Sequence, residues 1–267
     1  MEIAFDAIGI EIENQAAFDN LTEDVERRGE ASQLARAGGD VLHGRCLKLG
    51  VEGLEIWAVS YRSAATGEVA YADCRPAFRA RYAQRISPWI LTETDETAGD
   101  AVVHGFVEDT DTEVLFALQN LTEVGTPVFE RNALQISLCG LAYSAEILDE
   151  TEKPYWKSSD EIALNVVAAE ENAWSLCGQI IAFERLQNPF SKTNLYWLYL
   201  DLGELKLEIL VNRRVLKSKK IQVGKFVRAE VWLQGHLLNE TSKRFAYEGV
   251  DRTLRTVDFW KQFKKLN

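Results

Sequence analysis

Tyr196-Trp197-Leu198-Tyr199-Leu200 decides the fold: Tyr196, Leu198 and Leu200 fall on one face of an extended chain, and Trp197 and Tyr199 fall on the other. The following segments repeat this period of two. In Leu205–Val211 the residues Leu205, Leu207, Ile209 and Val211 alternate with Lys206 and Glu208. In Val227–Leu237 the residues Val227, Ala229, Val231, Leu233 and Leu237 alternate with Arg228, Glu230, Trp232, Gln234 and His236. With the apolar run Trp174–Phe183 these make strands with one buried face, joined by the short connections Leu202–Glu204 and Lys217–Gly224. An open sheet would leave edges unpaired, and closure into a small barrel removes them. Gly178 and Gly235 stand where a sharply bent strand needs a residue without a side chain.

Residues 173–238, read this way, resemble an OB-fold: a long bent first strand, a meander, and a last strand Val231-Trp232-Leu233-Gln234-Gly235. An SH3-like barrel or an open sandwich shares the same pattern. As a whole the chain resembles an uncharacterised bacterial protein family. The OB-like reading implies a ligand-binding outer face, made by Trp197, Tyr199 and Trp232 beside Arg228 and His236. The adjoining segment adds Arg213, Arg214, Lys217, Lys219 and Lys220. Such faces stack bases or sugars and track phosphates, so single-stranded nucleic acid is one expected partner and a protein or small ligand another. The competing expectation is that these aromatics pack against the rest of the chain.

Upstream, Ile3–Ile12 reads as a strand, and Asn14 caps an amphipathic helix whose apolar face carries Phe18, Leu21 and Val25. Strands follow over Val41–Leu49, Leu54–Tyr61 and Glu68–Cys74, where Pro76 ends the run. Arg79–Ile90 reads as a short helix or loop because of Pro88, and strands resume at Ala101–Val107, Glu113–Leu121 and Ala133–Ile147. The charged stretch Asp149–Asp160 is the expected boundary between a strand-rich domain over 1–150 and an OB-like barrel over 160–267. The second domain ends in an amphipathic helix, Val250–Leu266. The expected class is mainly β with flanking helices, an α+β protein. Two echoes, Val41–Gly44 with Val102–Gly105 and Ser137–Gly140 with Ser175–Gly178, raise the question of a duplication.

Charge is distributed unevenly. Residues 1–85 hold 10 basic and 14 acidic side chains, residues 86–173 hold 3 and 18, and residues 174–267 hold 17 and 9. A nucleic acid would have to meet the last third, a basic protein the middle; alternatively the two segments face each other within one molecule. The start, with acids where a secretory signal carries bases, and four widely spaced cysteines without a CxxC motif suit a reduced, cytoplasmic protein.

Local chemistry gives little direction. The group Arg75, Arg79, Arg81 and Arg85 suits planar anions but also pairs with acids. His43 and His104 lack a third ligand for a metal, and the acidic run Glu108–Glu113 lacks the glycine and glutamate of a calcium loop. No cofactor or metal is implied, and no nucleophile, phosphate-loop or zinc motif occurs. The leading expectation is therefore a non-enzymatic binding protein. The others are a hydrolase or transferase with a site between the domains, using His43 or His104, and an acidic inhibitor or immunity-type protein.

Overall fold

The computed structural model describes residues 2–36, 38–51, 53–93, 97–124, 133–158, 173–217 and 220–238. The segment expected as a first strand is a short helix, α1 (Glu2–Ala7), ended by Gly9 at φ +78°. Phe5 and Ile8, three residues apart, are both fully buried, so helical spacing places them rather than alternation. Asn14 accepts a 2.9 Å hydrogen bond from the Ala17 amide and caps α2 (Gln15–Arg28), as the sequence predicts.

Next come β1 (Glu30–Ala35), β2 (Val41–Lys48), β3 (Leu54–Arg62) and β4 (Val69–Phe78), an antiparallel sheet in chain order. β1 escaped the pattern because Glu-Ala-Ser-Gln-Leu-Ala carries no β-branched residue. Contrary to expectation, Pro76 does not end β4. This is an edge strand, where a missing N–H leaves no ladder partner unpaired.

The remaining strands are β5 (Ala83–Glu93), β6 (Ala101–Val107), β7 (Glu113–Leu118), β8 (Leu134–Leu148), β9 (Tyr155–Ser158), β10 (Ala173–Gln187), β11 (Asn194–Asp201), β12 (Lys206–Asn212) and β13 (Phe226–Leu237). The expected helix or loop around Pro88 is thus strand β5, and the proline is absorbed at a register shift between Pro88 and Ile90. The expected C-terminal helix lies outside the described residues.

β8 and β13 form a long antiparallel ribbon, from Phe226 opposite Leu148 to Leu237 opposite Ile136. This ribbon is the spine of the fold. One half is closed into a ring by β10, β11 and β12: β10 runs antiparallel to β13, and β12 meets β8 in parallel over Glu208–Val211. The other half is closed by β5, β6 and β7, with β5 antiparallel to β8 and β7 parallel to β13 at Ala117 and Leu118. Each ring, the upstream one with β5–β7 and the downstream one with β10–β12, has five strands and one short parallel junction, so closure is uneven.

The rings repeat one topology, a three-strand meander followed by a long strand. The tetrad echoes do not mark this repeat: Ser137–Gly140 lies on β8 and Ser175–Gly178 on β10, which occupy different places in it. A continuous apolar core fills both rings, from Ile86, Phe116 and Leu138 to Ile180, Leu198, Ile209 and Val231. β8, which precedes the expected boundary at 150–160, contributes to both.

The four-stranded sheet lies over the outer face of the spine and of the downstream ring, joining Phe5, Ile56 and Phe78 to Trp197, Tyr199 and Leu210. The link between β4 and β5 crosses this face, and polar side chains satisfy its backbone and that of the adjoining end of β4. Gln234 donates from Nε2 to the Pro76 carbonyl at 2.9 Å, and Ser137 Oγ donates to the Ala80 carbonyl at 2.9 Å. Glu208 accepts from the Arg81 amide at 2.9 Å, the Tyr82 amide at 2.6 Å and Trp197 Nε1 at 2.5 Å.

Burial pushes the Glu208 carboxyl up to about 7, although these donors pull the other way. The folded state therefore holds a proton that the unfolded chain releases near 4.5, and stability falls as pH rises from there to about 7. The expected loss is on the order of 3 kcal/mol. Urea unfolding across this window should show the slope in the wild type and its absence in Glu208→Gln; identical slopes would refute the assignment.

Gly235 shows how tightly the spine is packed, since a Cβ there would lie 2.4 Å from the Phe116 ring. Gly235→Ala should cost about 1–3 kcal/mol, seen as a lower urea midpoint at unchanged m; an unchanged midpoint would contradict this packing.

Candidate functional site

The aromatic face expected on the downstream ring is sealed inside the molecule. Trp197 is 0% exposed, Tyr199 and His236 are buried as completely, and Trp232 is nearly so. These residues therefore do not form an open surface; the alternative expectation, packing against the rest of the chain, is the one observed. The physical reason is the link: Arg81 lies over Trp197 with its guanidinium carbon 4.6 Å from the ring centre, and Tyr82 stacks on Tyr199 at 4.5 Å.

The cations expected beside that face are exposed, but several are paired with acids from elsewhere in the chain. Arg214 binds Glu11 at 2.7 Å, and Arg228 binds Glu152 at 2.7 Å. Arg213 reaches the Leu216 carbonyl, while Lys217 and Lys220 stand in solvent. Lys219 lies outside the described residues. The basic end and the acidic middle thus meet in part within one molecule, as the Lys225–Asp149 pair also shows.

The arginine group is likewise consumed internally. Arg75 contacts Asp73 and Gln119, Arg79 contacts Glu55 and Glu123, Arg81 contacts Glu184, and Arg85 contacts Glu108. His43 and His104 lie on β2 and β6, in different sheets, and no cluster of three metal-ligating side chains occurs among the described residues. The acidic run is a hairpin turn: the Val107 amide donates to the Thr112 carbonyl at 2.9 Å, and Asp109 sits at φ +64°.

Two features were not legible in the sequence. The first is a buried charge network under the four-stranded sheet. Glu55 accepts from Trp57 Nε1 and Arg79 Nε, both at 3.0 Å, and its Oε2 lies 3.2 Å from His236 Nε2. Burial pushes the Glu55 carboxyl up, but His236 and Arg79 outweigh it and hold it at about 2, while burial and Arg79 push the His236 pKa down. Burial, reinforced by Glu55, pushes the neighbouring Cys46 thiol far up, so it is no activated nucleophile. A cleft of about 960 Å³ opens beside this network, lined by Glu30, Lys48, Arg79 and Glu123. Their charges are already matched, Lys48 with Glu30 and Arg79 with Glu123.

The second feature is an open aromatic face on the upstream ring. Trp89 of β5 is 73% exposed, with Ile90 beside it and Phe106 of β6 partly open. His104 lies between the two rings, 5.1 Å from Trp89 and 5.9 Å from Phe106 by ring centres. Glu113 of β7 stands opposite Phe106 in the ladder and contacts His104 Nε2 at 2.5 Å. The adjoining turn carries Glu108, Asp109 and Asp111. The arrangement is an apolar centre with an acidic rim, and nothing in it positions a nucleophile against a base.

Residues 162–235 match the model of a family described as a domain of unknown function, E. rectale gene description (DUF3881). That span covers much of the β10–β13 unit. No curated protein and no solved structure matched the chain.

The exposure of Trp89 has a direct optical consequence. Trp89→Phe should lower the fraction of tryptophan emission quenched by acrylamide and shift the remaining emission to shorter wavelength; an unchanged quenched fraction would mean that this ring is covered.

Proposed function

We propose that the protein is a non-enzymatic interaction protein that docks a basic protein partner on the outer face of its upstream ring. The single observation that carries this reading is Trp89, 73% exposed at the register shift of β5 in a molecule that buries Trp57, Trp174, Trp197 and Trp232. Tryptophan is costly to leave in water and is enriched at the centres of protein interfaces, where a polar rim surrounds it. The rim here is acidic, and it belongs to the segment in which residues 86–173 hold 18 acids and 3 bases. Such a surface favours encounter with a cationic partner and disfavours nucleic acid.

Against catalysis stand the protonated Cys46 thiol and the internally matched charges of the cleft. The four cysteines are free thiols, in keeping with a reducing compartment such as the cytoplasm.

Co-purification of the full chain from its native host tests the proposal. The wild type should retain a basic protein at low salt and release it at high salt. Trp89→Ser/Phe106→Ser should fail to retain it, and Arg213→Ala/Arg214→Ala should still do so. Retention of the same protein by the Trp89/Phe106 variant would exclude this face.

A further inference from the structure

We infer that the face on the upstream ring takes an arginine side chain of its partner, seated on Trp89 with Glu113 as counter-ion. This rests on the docking role proposed above and adds the chemistry of recognition. Its basis is a precedent within the molecule.

The two rings repeat one topology, and β6 holds in the upstream ring the place that β11 holds in the downstream one. On the outer face of β11 the chain supplies its own occupant. The Arg81 guanidinium lies over Trp197, its carbon 4.6 Å from the ring centre, and its Nη2 donates to Glu184 on the adjacent strand β10 at 2.9 Å. The upstream face presents the same kinds of group spread over three strands: the Trp89 ring on β5, His104 and Phe106 on β6, and on β7 the carboxylate of Glu113, which also contacts His104 Nε2. Here Trp89 stays largely in water, and Glu113 is more than half exposed.

Arginine serves both elements at once, because its planar guanidinium stacks on an indole while its edge donates to a nearby carboxylate. The compact ammonium of lysine is more strongly hydrated and offers no flat face, so it gains less from the same pair. The occupant is therefore an arginine-bearing segment of a basic protein, with apolar neighbours for Ile90 and Phe106. The acidic rim supplies the complementary charge.

Two synthetic twelve-residue peptides test this, identical in their alternation of leucine and basic residues, one with arginine and one with lysine throughout. Each is titrated into the full-length protein by fluorescence anisotropy at low salt. The arginine peptide should bind the wild type at least about fivefold tighter than the lysine peptide. Trp89→Ala and Glu113→Gln should each abolish that preference, and Glu68→Gln, in the distant β3–β4 turn, should leave it intact. Thermal melts confirm that the surface variants stay folded. Equal affinities for the two peptides, both weakened by Trp89→Ala, would overturn the arginine anchor and leave the face as a docking surface. Absence of binding to the wild type, or affinities untouched by Trp89→Ala, would overturn both.

Discussion

The buried carboxyl group of Glu208 organises the molecule. Placing a carboxyl group in a dry interior costs several kcal/mol unless its lone pairs are met by donors, and here two consecutive backbone amides and an indole N–H meet them. Those amides belong to the link between the four-stranded sheet and the double ring, so the bond that satisfies Glu208 also fixes where the sheet lies. Ser137 and Gln234 extend the same arrangement along the spine. With the link in place, Arg81 and Tyr82 cover Trp197 and Tyr199, and the apolar residues of α1, β3 and β4 close over the rest.

This clamp explains which part of the design was legible in the sequence. The alternation in β11, β12 and β13 identified strands and their inward faces correctly, because burial inside a ring follows a period of two. The same alternation assigned Trp197, Tyr199 and Glu208 to an outer face, which is also correct, but period alone does not distinguish water from another layer of protein. A glutamate on an outer face ordinarily means solvent; Glu208 reaches a link 126 residues away in sequence. Pro88 misled for a related reason: a proline in a bulge looks like a strand breaker until the register shift is seen, and Trp89 was lost with it. β8 was found as a strand, yet its membership in both rings depends on pairings with β5, β12 and β13 that no local pattern encodes.

The uneven charge follows the same logic. Basic residues of the last third meet acids from the first two, as in Arg214–Glu11, Lys225–Asp149 and Arg228–Glu152, so part of the polarity is spent within the molecule. The upstream ring keeps Glu113 and the acids of the β6–β7 turn around an aromatic centre. Two rings of one topology thus differ in what lies on them: one face is sealed by the chain, and the other carries an exposed Trp89.

That asymmetry depends on the seal at Glu208, and amide hydrogen exchange reads it residue by residue. If the Glu208 carboxyl group clamps the link, the Arg81 and Tyr82 amides exchange as slowly as core amides of β11 and β13, through global opening alone. Exchange of these two amides at the rate of the exposed turns would contradict the clamp and, with it, the sealed downstream face.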